Sequence, residues 1–327
     1  MNIGLIDVDG KIPNLALMKI STYHKSVGDN VEFVEPNRKY DKIYASAIFT
    51  KSRARCETLQ AQYENIEIGG TGWDLIKRLP TEIETCCADY DLYTADMIAP
   101  KIGGIMTKES RSRKAQEIVD AGMGFTSRGC VRSCGFCFVP KKEGALKQDQ
   151  EIHDIINPRS NVIILHDNNL TADPHCIDKL HEIRDRRLVV DINQGCDVRL
   201  MTPEIAQALS EVKHLRSLHY AWDLMEFEDK VLSGIELLKQ FIRPYRQMCF
   251  MLVGFNTTFE QDMYRFRKLV EFGIDPYVMR YNQLPDERLK HFARWVNGRI
   301  YKVCSFEEYE PWVKTREVPK QMIMEEI

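Results

Sequence analysis

Three cysteines close together in the sequence are the residues best suited to do chemistry. Cys130, Cys134 and Cys137 stand in the segment CVRSCGFC. Thiolates are the usual ligands of iron–sulfur clusters. Three of them can hold three irons of a cubane and leave the fourth iron open to a small molecule, as the open position is left on a catalytic zinc. The spacing therefore favours a catalytic cluster over one that only carries electrons.

Two other interpretations of these cysteines are considered. Zinc is also bound by cysteines, but a structural zinc site needs a fourth ligand, and the next candidate in the chain is as far away as His153. Chance clustering is the other alternative, because the chain has ten cysteines. We expect the three thiolates to hold a [4Fe-4S] cluster.

Six apolar runs follow one another from residue 122 onward, separated by amphipathic stretches. The runs predict strands at 123–126, 162–165, 188–192, 216–221, 248–253 and 276–279. The amphipathic stretches predict helices at 174–186, 203–213, 228–242 and 258–272. Such alternation predicts an α/β fold, a partial (βα)6 TIM-type barrel over 122–283, whose strand-end loops share one face. The cysteines follow the first of these strands and are expected at that face.

The remaining parts of the chain have a different pattern. Apolar runs and a helical stretch over 15–27 predict a small parallel α/β domain at about 1–95. Residues 96–121 contain the charged run KESRSRK and are interpreted as a linker, with a basic helix as the alternative. The C-terminal extension, 284–327, is expected to start as a helix and to continue as a strand-like run, RIYKVC.

The pattern Cys-x-x-x-Cys-x-aromatic-Cys after the first strand of a partial barrel resembles the signature of the radical S-adenosylmethionine (SAM) superfamily. The resemblance extends over about 122–283. It implies an enzyme whose open iron chelates the amino and carboxylate groups of SAM. Reductive cleavage of SAM would then yield a 5′-deoxyadenosyl radical that takes a hydrogen atom from a substrate that no motif identifies. A flavodoxin or ferredoxin as electron donor is implied by the same resemblance.

The resemblance also gives roles to residues in and after the predicted strands. The backbone at Phe136 would contact the adenine edge. Asp167, Asn168 and Asn169 would meet the methionine amine, since their oxygens accept hydrogen bonds. A turn capped by Asn or Asp is the alternative for these three residues.

Three later positions complete the expected SAM site. Arg199 offers a planar fork for the SAM carboxylate, although it could instead pair with Asp197 or Asp191. Gln194 could meet the ribose hydroxyls. Gly254 would let the backbone approach the adenine closely, although turns also favour glycine.

The first domain resembles a small Rossmann-like, cobalamin-binding-type domain. Its loop at residues 69–72 (GGTG) could hold a phosphate through backbone donors, and a tight turn is the alternative. The Asp-x-His-x-x-Gly motif that gives cobalt an axial histidine is absent, because residues 7–11 read DVDGK. Cobalamin is kept as a candidate cofactor. Residues 139–144 resemble a Val-Pro-x-x-x-Gly stretch of methylthiotransferases, but Glu143 stands where those proteins commonly have Arg.

The charge balance and the apolar runs of the sequence bear on the partners and the location of the protein. Lys and Arg number 45 against 48 Asp and Glu, so the net charge of −3 does not indicate a nucleic-acid partner, although a local basic patch would suffice for one. The N-terminus lacks the features of a secretory signal, and no run reaches the length of a membrane span. We expect a cytoplasmic protein with reduced cysteines.

The leading hypothesis is a SAM-cleaving radical enzyme. The alternatives are a cobalamin-dependent methyltransferase acting on an unactivated carbon, a methylthiotransferase-like modification enzyme, and a non-catalytic metal-binding module on a decayed barrel.

Overall fold

The computed structural model describes residues 1–283 and 285–309. Contacts divide the chain into two compact units, both mixed α/β with parallel strands. The first unit consists of Met1–Cys130 and Phe138–His166. The second consists of Val131–Cys137 and the residues from Asp167 onward.

The first unit opens with a four-stranded parallel sheet, as the sequence predicted. Its strands are β1 (Asn2–Asp7), β2 (Asn30–Phe33), β3 (Lys42–Ser46) and β4 (Ile66–Gly69). Their order is β2-β1-β3-β4, so β1 is central, and its Ile3 and Leu5 are fully buried.

Two long helices belong to this sheet. Helix α1 (Leu15–Ser26) begins where the side chain of Asn14 accepts a hydrogen bond from Leu17 N, as a preferred N-cap residue does. It packs Leu17 and Met18 into the core formed around Ile3. Helix α2 (Arg53–Gln62) precedes β4.

The segment interpreted as a linker contains helices instead. After the short helix α3 (Thr81–Glu84), the chain forms α4 (Ala95–Ile98) and α5 (Lys108–Asp120). The charged run lies in α5, which was the alternative. The periodicity of α5 is weak because only Ala115 and Val119 are buried in the core.

The rest of the first unit carries the first two strands predicted for the barrel. Strands β5 (Gly122–Gly124) and β8 (Val162–Leu165) pair in parallel. Between them lie the antiparallel strands β6 (Ser127–Arg128) and β7 (Lys147–Gln148), which the sequence did not predict. The short helices α6 (Val139–Lys142) and α7 (Ile152–Ile155) complete this region.

The second unit repeats strand and helix in the predicted order, except that the sequence did not predict the short strand at Lys213–His214, which follows the helix expected at 203–213. Its strands are β9 (Val189–Ile192), β10 (Lys213–His214), β11 (Leu218–Ala221), β12 (Gln247–Val253) and β13 (Asp275–Arg280). Its helices are α8 (Cys176–Asp185), α9 (Pro203–Glu211), α10 (Glu228–Lys239), α11 (Phe259–Glu271) and α12 (Glu287–Asn297).

Every strand pair that forms within the second unit is parallel. Strand β9 pairs with β10, and β12 pairs with both β11 and β13. A further parallel bridge joins Cys196, beyond β9, to Tyr220 of β11. All six apolar runs are therefore strands, which confirms those predictions, while their closure into a partial barrel stays a prediction.

The C-terminal extension is confirmed as helical at its start by α12. The strand expected at RIYKVC is wrong, because Ile300–Lys302 form a short 3₁₀ turn. Arg299 begins this turn in the left-handed region at φ 55°, which a strand does not allow. Tyr301 then packs its ring against Phe266 and Trp295. Residues 310–327 of the predicted extension lie outside the described residues.

Across the described ranges, no helix is both long enough and apolar enough to cross a bilayer.

Candidate functional site

The three cysteines lie in residues 129–146, which connect β6 to β7 and are named the cysteine loop. Cys130 N donates to Gly144 O at 3.3 Å, and Cys137 N donates to Cys134 O at 2.9 Å. Gly129 has φ +85°, and a Cβ there would lie 2.3 Å from Ala145 O. The two ends of the loop thus meet so closely that only glycine fits at its start.

The thiols of the loop are more accessible than four of the other cysteines. Cys130, Cys134 and Cys137 are half-buried, as are Cys86 and Cys304, whereas four cysteines are buried, namely Cys56, Cys176, Cys196 and Cys249. None of the ten cysteines, all of which the structure describes, forms a disulfide. Accessible thiols of this kind are suitable donors for an iron–sulfur cluster.

The suitability of these thiols as ligands does not by itself show that they are grouped around one metal site. Within residues 1–283 and 285–309, no three His, Cys, Asp or Glu side chains are grouped as ligands of a metal ion. The type and exposure of the three thiols fit a cluster, and their grouping around one remains a prediction from the sequence.

A buried carboxylate holds two arginines beside the cysteine loop. Asp197 follows β9, and its side chain is only 5% exposed. It accepts a hydrogen bond from Arg132 Nε at 3.0 Å, and two more from Arg199 Nε at 2.6 Å and Arg199 Nη2 at 2.9 Å. Because Arg132 belongs to the cysteine loop, this carboxylate ties the loop to the residues after β9.

The charges around Asp197 set its protonation. Burial alone would raise the pKa of Asp197, but hydrogen bonds and charge from Arg199 and Arg132 outweigh burial and hold the pKa below its ordinary value. The carboxylate is therefore ionised at neutral pH. Arg132 and Asp197 were not among the expected site residues, because 65 residues separate them and no local pattern links them.

Arg199 is engaged with Asp197, which is the alternative given for it from the sequence. Its guanidinium also lies over the Phe227 ring, with Cζ 4.8 Å from the ring centre. Burial alone would lower the pKa of Arg199, but Asp197 and, to a smaller extent, Cys134 raise it above its ordinary value. A ligand carboxylate would have to share this guanidinium with Asp197.

The polar run after β8 is mostly inside the protein. Asp167 and Asn169 are buried and Asn168 is half-buried. Thr171 Oγ1 donates to Asn169 Oδ1 at 3.2 Å and accepts from Asp197 N at 2.8 Å. Thr171, which no sequence motif indicated, thus connects this run to the residues around Asp197.

Three aromatic rings line up from the cysteine loop to the end of β13. Phe136 meets Phe255 edge-to-face with centroids 5.5 Å apart, and Phe255 meets Tyr281 in the same way at 4.9 Å. Gly254, at φ +78°, turns the chain at the end of β12 so that Phe255 can reach the loop. The structure therefore brings Phe136 close to the neighbour of Gly254, and a ligand shared by Phe136 and Gly254 stays a prediction.

Gln194 is exposed in the turn that follows β9. Its assignment to ribose rests on sequence alone. The positive φ of Gly195 directs this turn, since a Cβ there would lie 2.9 Å from His219 O.

Asp223 stands where β11 ends. Its Oδ1 accepts from Leu252 N at 2.9 Å. Burial raises the pKa of Asp223, although this hydrogen bond and the charges of Arg265 and Arg199 act in the opposite direction. A carboxyl group with such a raised pKa can exchange a proton nearer to neutral pH than an ordinary Asp.

A fully buried arginine joins the ends of β11 and β12. Arg265 of α11 donates to Trp222 O and to Leu252 O, the latter at 2.7 Å, and pairs with Asp262 Oδ1 at 2.6 Å. Sequence reasoning missed this pair, although an Asp and an Arg three residues apart on the apolar face of an amphipathic helix are a recognisable signal.

The edge of the first sheet differs from the expected phosphate site. The carboxylate of Asp9 accepts hydrogen bonds from Ile48 N at 2.8 Å and Phe49 N at 3.0 Å. A Cβ at Gly70 would lie 2.2 Å from Ala47 O, and one at Gly72 would lie 2.5 Å from Phe49 O. The glycine loop is therefore packed against residues 47–49, which favours the tight-turn alternative.

His166 follows β8 and packs its ring at 5.6 Å from that of Phe125. Burial, aided by the charge of Arg128, lowers the pKa of His166 to about 4. It is thus a neutral residue at pH 7, packed against Phe125.

Together, the described side chains make a polar and aromatic surface after the parallel strands of the second unit. The loops after β9, β11, β12 and β13 contribute Asp197, Asp223, Phe255 and Tyr281. Ligands of parallel α/β proteins bind outside such carboxyl ends, and the cysteine loop supplies Arg132 and Phe136 to the same place.

No family model and no curated protein matches the sequence. Among solved structures, the chain is similar to Streptococcus suis SuiB bound to the precursor peptide SuiA, with 12% identity and a TM-score of 0.38, over 65% of this chain and 53% of that one. SuiB bound to S-adenosylmethionine gives 12% identity and a TM-score of 0.37, over 60% and 55%. The chain thus spans about half the length of these structures.

Proposed function

We propose that the chain is a radical SAM enzyme with a partial (βα)6 barrel, in which Cys130, Cys134 and Cys137 hold a [4Fe-4S] cluster. One observation supports this most: the cysteine loop contacts the loops after β9 and β12 through Arg132 and Phe136. Cys134 and Cys137 belong to the same unit as these strands, and the carboxyl ends of parallel strands are where α/β enzymes bind their substrates.

The residues of this chain would share the work of holding SAM. When bound and reduced, the cluster supplies the electron that cleaves SAM to a 5′-deoxyadenosyl radical. Asp167, Asn168 and Asn169 offer oxygens to the methionine amine. The guanidinium of Arg199 would be shared between Asp197 and the SAM carboxylate, for which its planar fork is suited.

Further residues would orient the nucleoside. Phe136 and Gly254 border the adenine, and Gln194 lies in the turn nearest the ribose. A flavodoxin or ferredoxin serves as the reductant in this proposal, and the substrate is left open.

The cobalamin alternative gains no support from the first sheet. The amides of Ile48 and Phe49, which could bind a phosphate, are taken by Asp9. Methylthiotransferase-like chemistry is not favoured either, because Glu143 pairs with Arg128 at 3.6 Å and so serves the cysteine loop.

The test is SAM cleavage by the anaerobically reconstituted full chain. We expect the wild type to take up iron and sulfide, to turn brown and, after reduction, to release 5′-deoxyadenosine from SAM. Cys134→Ala should lose both the brown absorbance and the product. Cys87→Ala, which removes an exposed cysteine outside the loop, is the matched control and should keep both.

Two outcomes would reject the proposal. Retention of colour and product by Cys134→Ala would show that the ligands are assigned wrongly. A fully loaded wild type that releases no 5′-deoxyadenosine would favour the non-catalytic metal-binding module.

A further inference from the structure

Arg128 stands where the two ends of the cysteine loop meet. Its side chain is only 14% exposed. It pairs with Glu84 Oε1 at 2.7 Å, with Glu143 Oε2 at 3.6 Å and, through Nε, with Asp149. The guanidinium also lies 3.9 Å from the centre of the Phe125 ring. One cation is thus shared by three carboxylates and an aromatic face.

The three carboxylates come from three different segments. Glu143 precedes Gly144 on the returning side of the loop, Asp149 follows β7, and Glu84 ends α3. Arg128 itself precedes Gly129 and Cys130. A planar fork with several donors can bind such dispersed carboxylates at once, which a lysine cannot do. Arg128 therefore fastens the start of the loop to its return.

The contacts continue from Glu84 to the helix of the first sheet. Lys19 of α1 is 1% exposed, and its Nζ lies 3.0 Å from Glu84 Oε1, the same oxygen that Arg128 contacts. Lys19 Nζ also donates to Glu84 O. A lysine this deeply buried is stable only with a fixed counter-charge, so α1 determines where Glu84 stands.

We infer that Lys19, Glu84 and Arg128 form a brace through which the first sheet fixes the cysteine loop, and that Glu84 and Arg128 are positioning residues for Cys130. The loop's task as a cluster site rests on the proposed function. The brace itself rests on contacts within the first unit. It gives the first sheet a mechanical role, which needs no cofactor in that sheet.

The direct test is amide hydrogen exchange of the full chain without iron. In Arg128→Gln, we expect peptides covering residues 129–145 to exchange about tenfold faster or more, because the Cys130 amide loses its fixed partner at Gly144. Arg128→Lys should protect these peptides only in part, since it keeps the charge but not the fork. Glu84→Gln should accelerate the same peptides.

Arg159→Gln is the matched control. Arg159 is also in the first unit and pairs with Asp91 and with Tyr90 O, outside the brace. It should leave exchange of residues 129–145 unchanged. Peptides from β1 and β3 should exchange at the wild-type rate in the variants of Arg128 and Arg159, which leave the Lys19–Glu84 pair intact.

The inference is overturned if Arg128→Gln leaves the loop peptides as protected as the wild type, or if Arg159→Gln affects them equally. A rise in exchange that includes β1 and β3 would also overturn it, since Arg128 would then serve general stability. Iron uptake is measured afterwards. Wild-type chain that binds no iron would reject the proposed function and leave the brace standing, because exchange is read without metal.

Discussion

At the scale of single residues, Asp197 is the side chain on which the candidate site depends most. It is buried, it is ionised, and it balances two guanidiniums from separate segments. Both of the arginines lie at the cysteine loop, one in it and one against Cys134. A loss of this carboxylate would leave two cations facing each other in a place with little water.

Asp197→Asn is expected to lower the free energy of unfolding by about 3 kcal/mol at neutral pH, since breaking a buried ion pair leaves uncompensated charge. Urea titration at pH 7 measures this. Asp185→Asn, which breaks a surface pair with Arg184, is the control and should change little. An equal effect of both changes would contradict the role of Asp197.

The carboxylate of Asp197 also makes the free energy of unfolding depend on pH, in a direction that follows from its pKa. The folded-state pKa of Asp197 lies below its ordinary value of 3.8. Its contribution is therefore complete above pH 3.8 and is lost as the pH falls through the lower folded value. The stability difference between wild type and Asp197→Asn should shrink at that acid end and stay constant from pH 5 to pH 8.

At the scale of elements, the parallel strands of the second unit are ordered by the helix that follows β12. Arg265 reaches from α11 to the carbonyls of Trp222 and Leu252, which end β11 and β12. Those ends carry Asp223 and Gly254. Arg265 therefore fixes the position of the candidate ligand surface through its hydrogen bonds to these strand ends.

Arg265→Met should destabilise the chain by about 3 kcal/mol or more, because Asp262 would remain buried without its partner. Arg267→Met, an exposed position on the same helix, should stay within about 0.5 kcal/mol of the wild type. Thermal and urea unfolding measure both. A double change, Arg265→Met with Asp262→Leu, should recover part of the loss, since no lone charge is then buried.

The sequence predicted the strands and helices better than the pairs of side chains that contact one another. Strand β12 was expected at 248–253 and spans Gln247–Val253, because a run of buried apolar residues is visible locally. Strands β6 and β7 have two residues each and are held by backbone pairing, which leaves no side-chain pattern. The pairing of Arg132 with Asp197 depends on how the chain folds between two residues that lie 65 positions apart. The cysteine triplet could be found because its three cysteines are neighbours in sequence.

At the scale of the whole molecule, the chemical reactivity of the buried cysteines reports on whether the chain is folded. Four are buried, and burial raises the pKa of each thiol, to about 12 for Cys176. Cys56 lies in the first unit, and Cys176, Cys196 and Cys249 lie in the second. The thiolate is the reactive form of cysteine, so both burial and the raised pKa protect these four thiols from modification.

Iodoacetamide should therefore modify Cys87 at once and the four buried thiols only when their unit unfolds. Mass spectrometry of peptides along a urea titration measures this. Modification of Cys196 in the native baseline would contradict the burial described above. The three cysteines of the loop should react at intermediate rates and become protected once iron and sulfide are bound.

The hydrogen bonds from Ile48 and Phe49 to Asp9 have a consequence for competition at the edge of the first sheet. Paired amides of this kind attract free anions, but here the anion is a side chain of the same chain, 39 residues before Ile48. A tethered group acts at an effective concentration in the millimolar range or above. A nucleotide in solution would have to displace the Asp9 carboxylate from the amides of Ile48 and Phe49. A side chain of the protein itself therefore already occupies this anion-binding position.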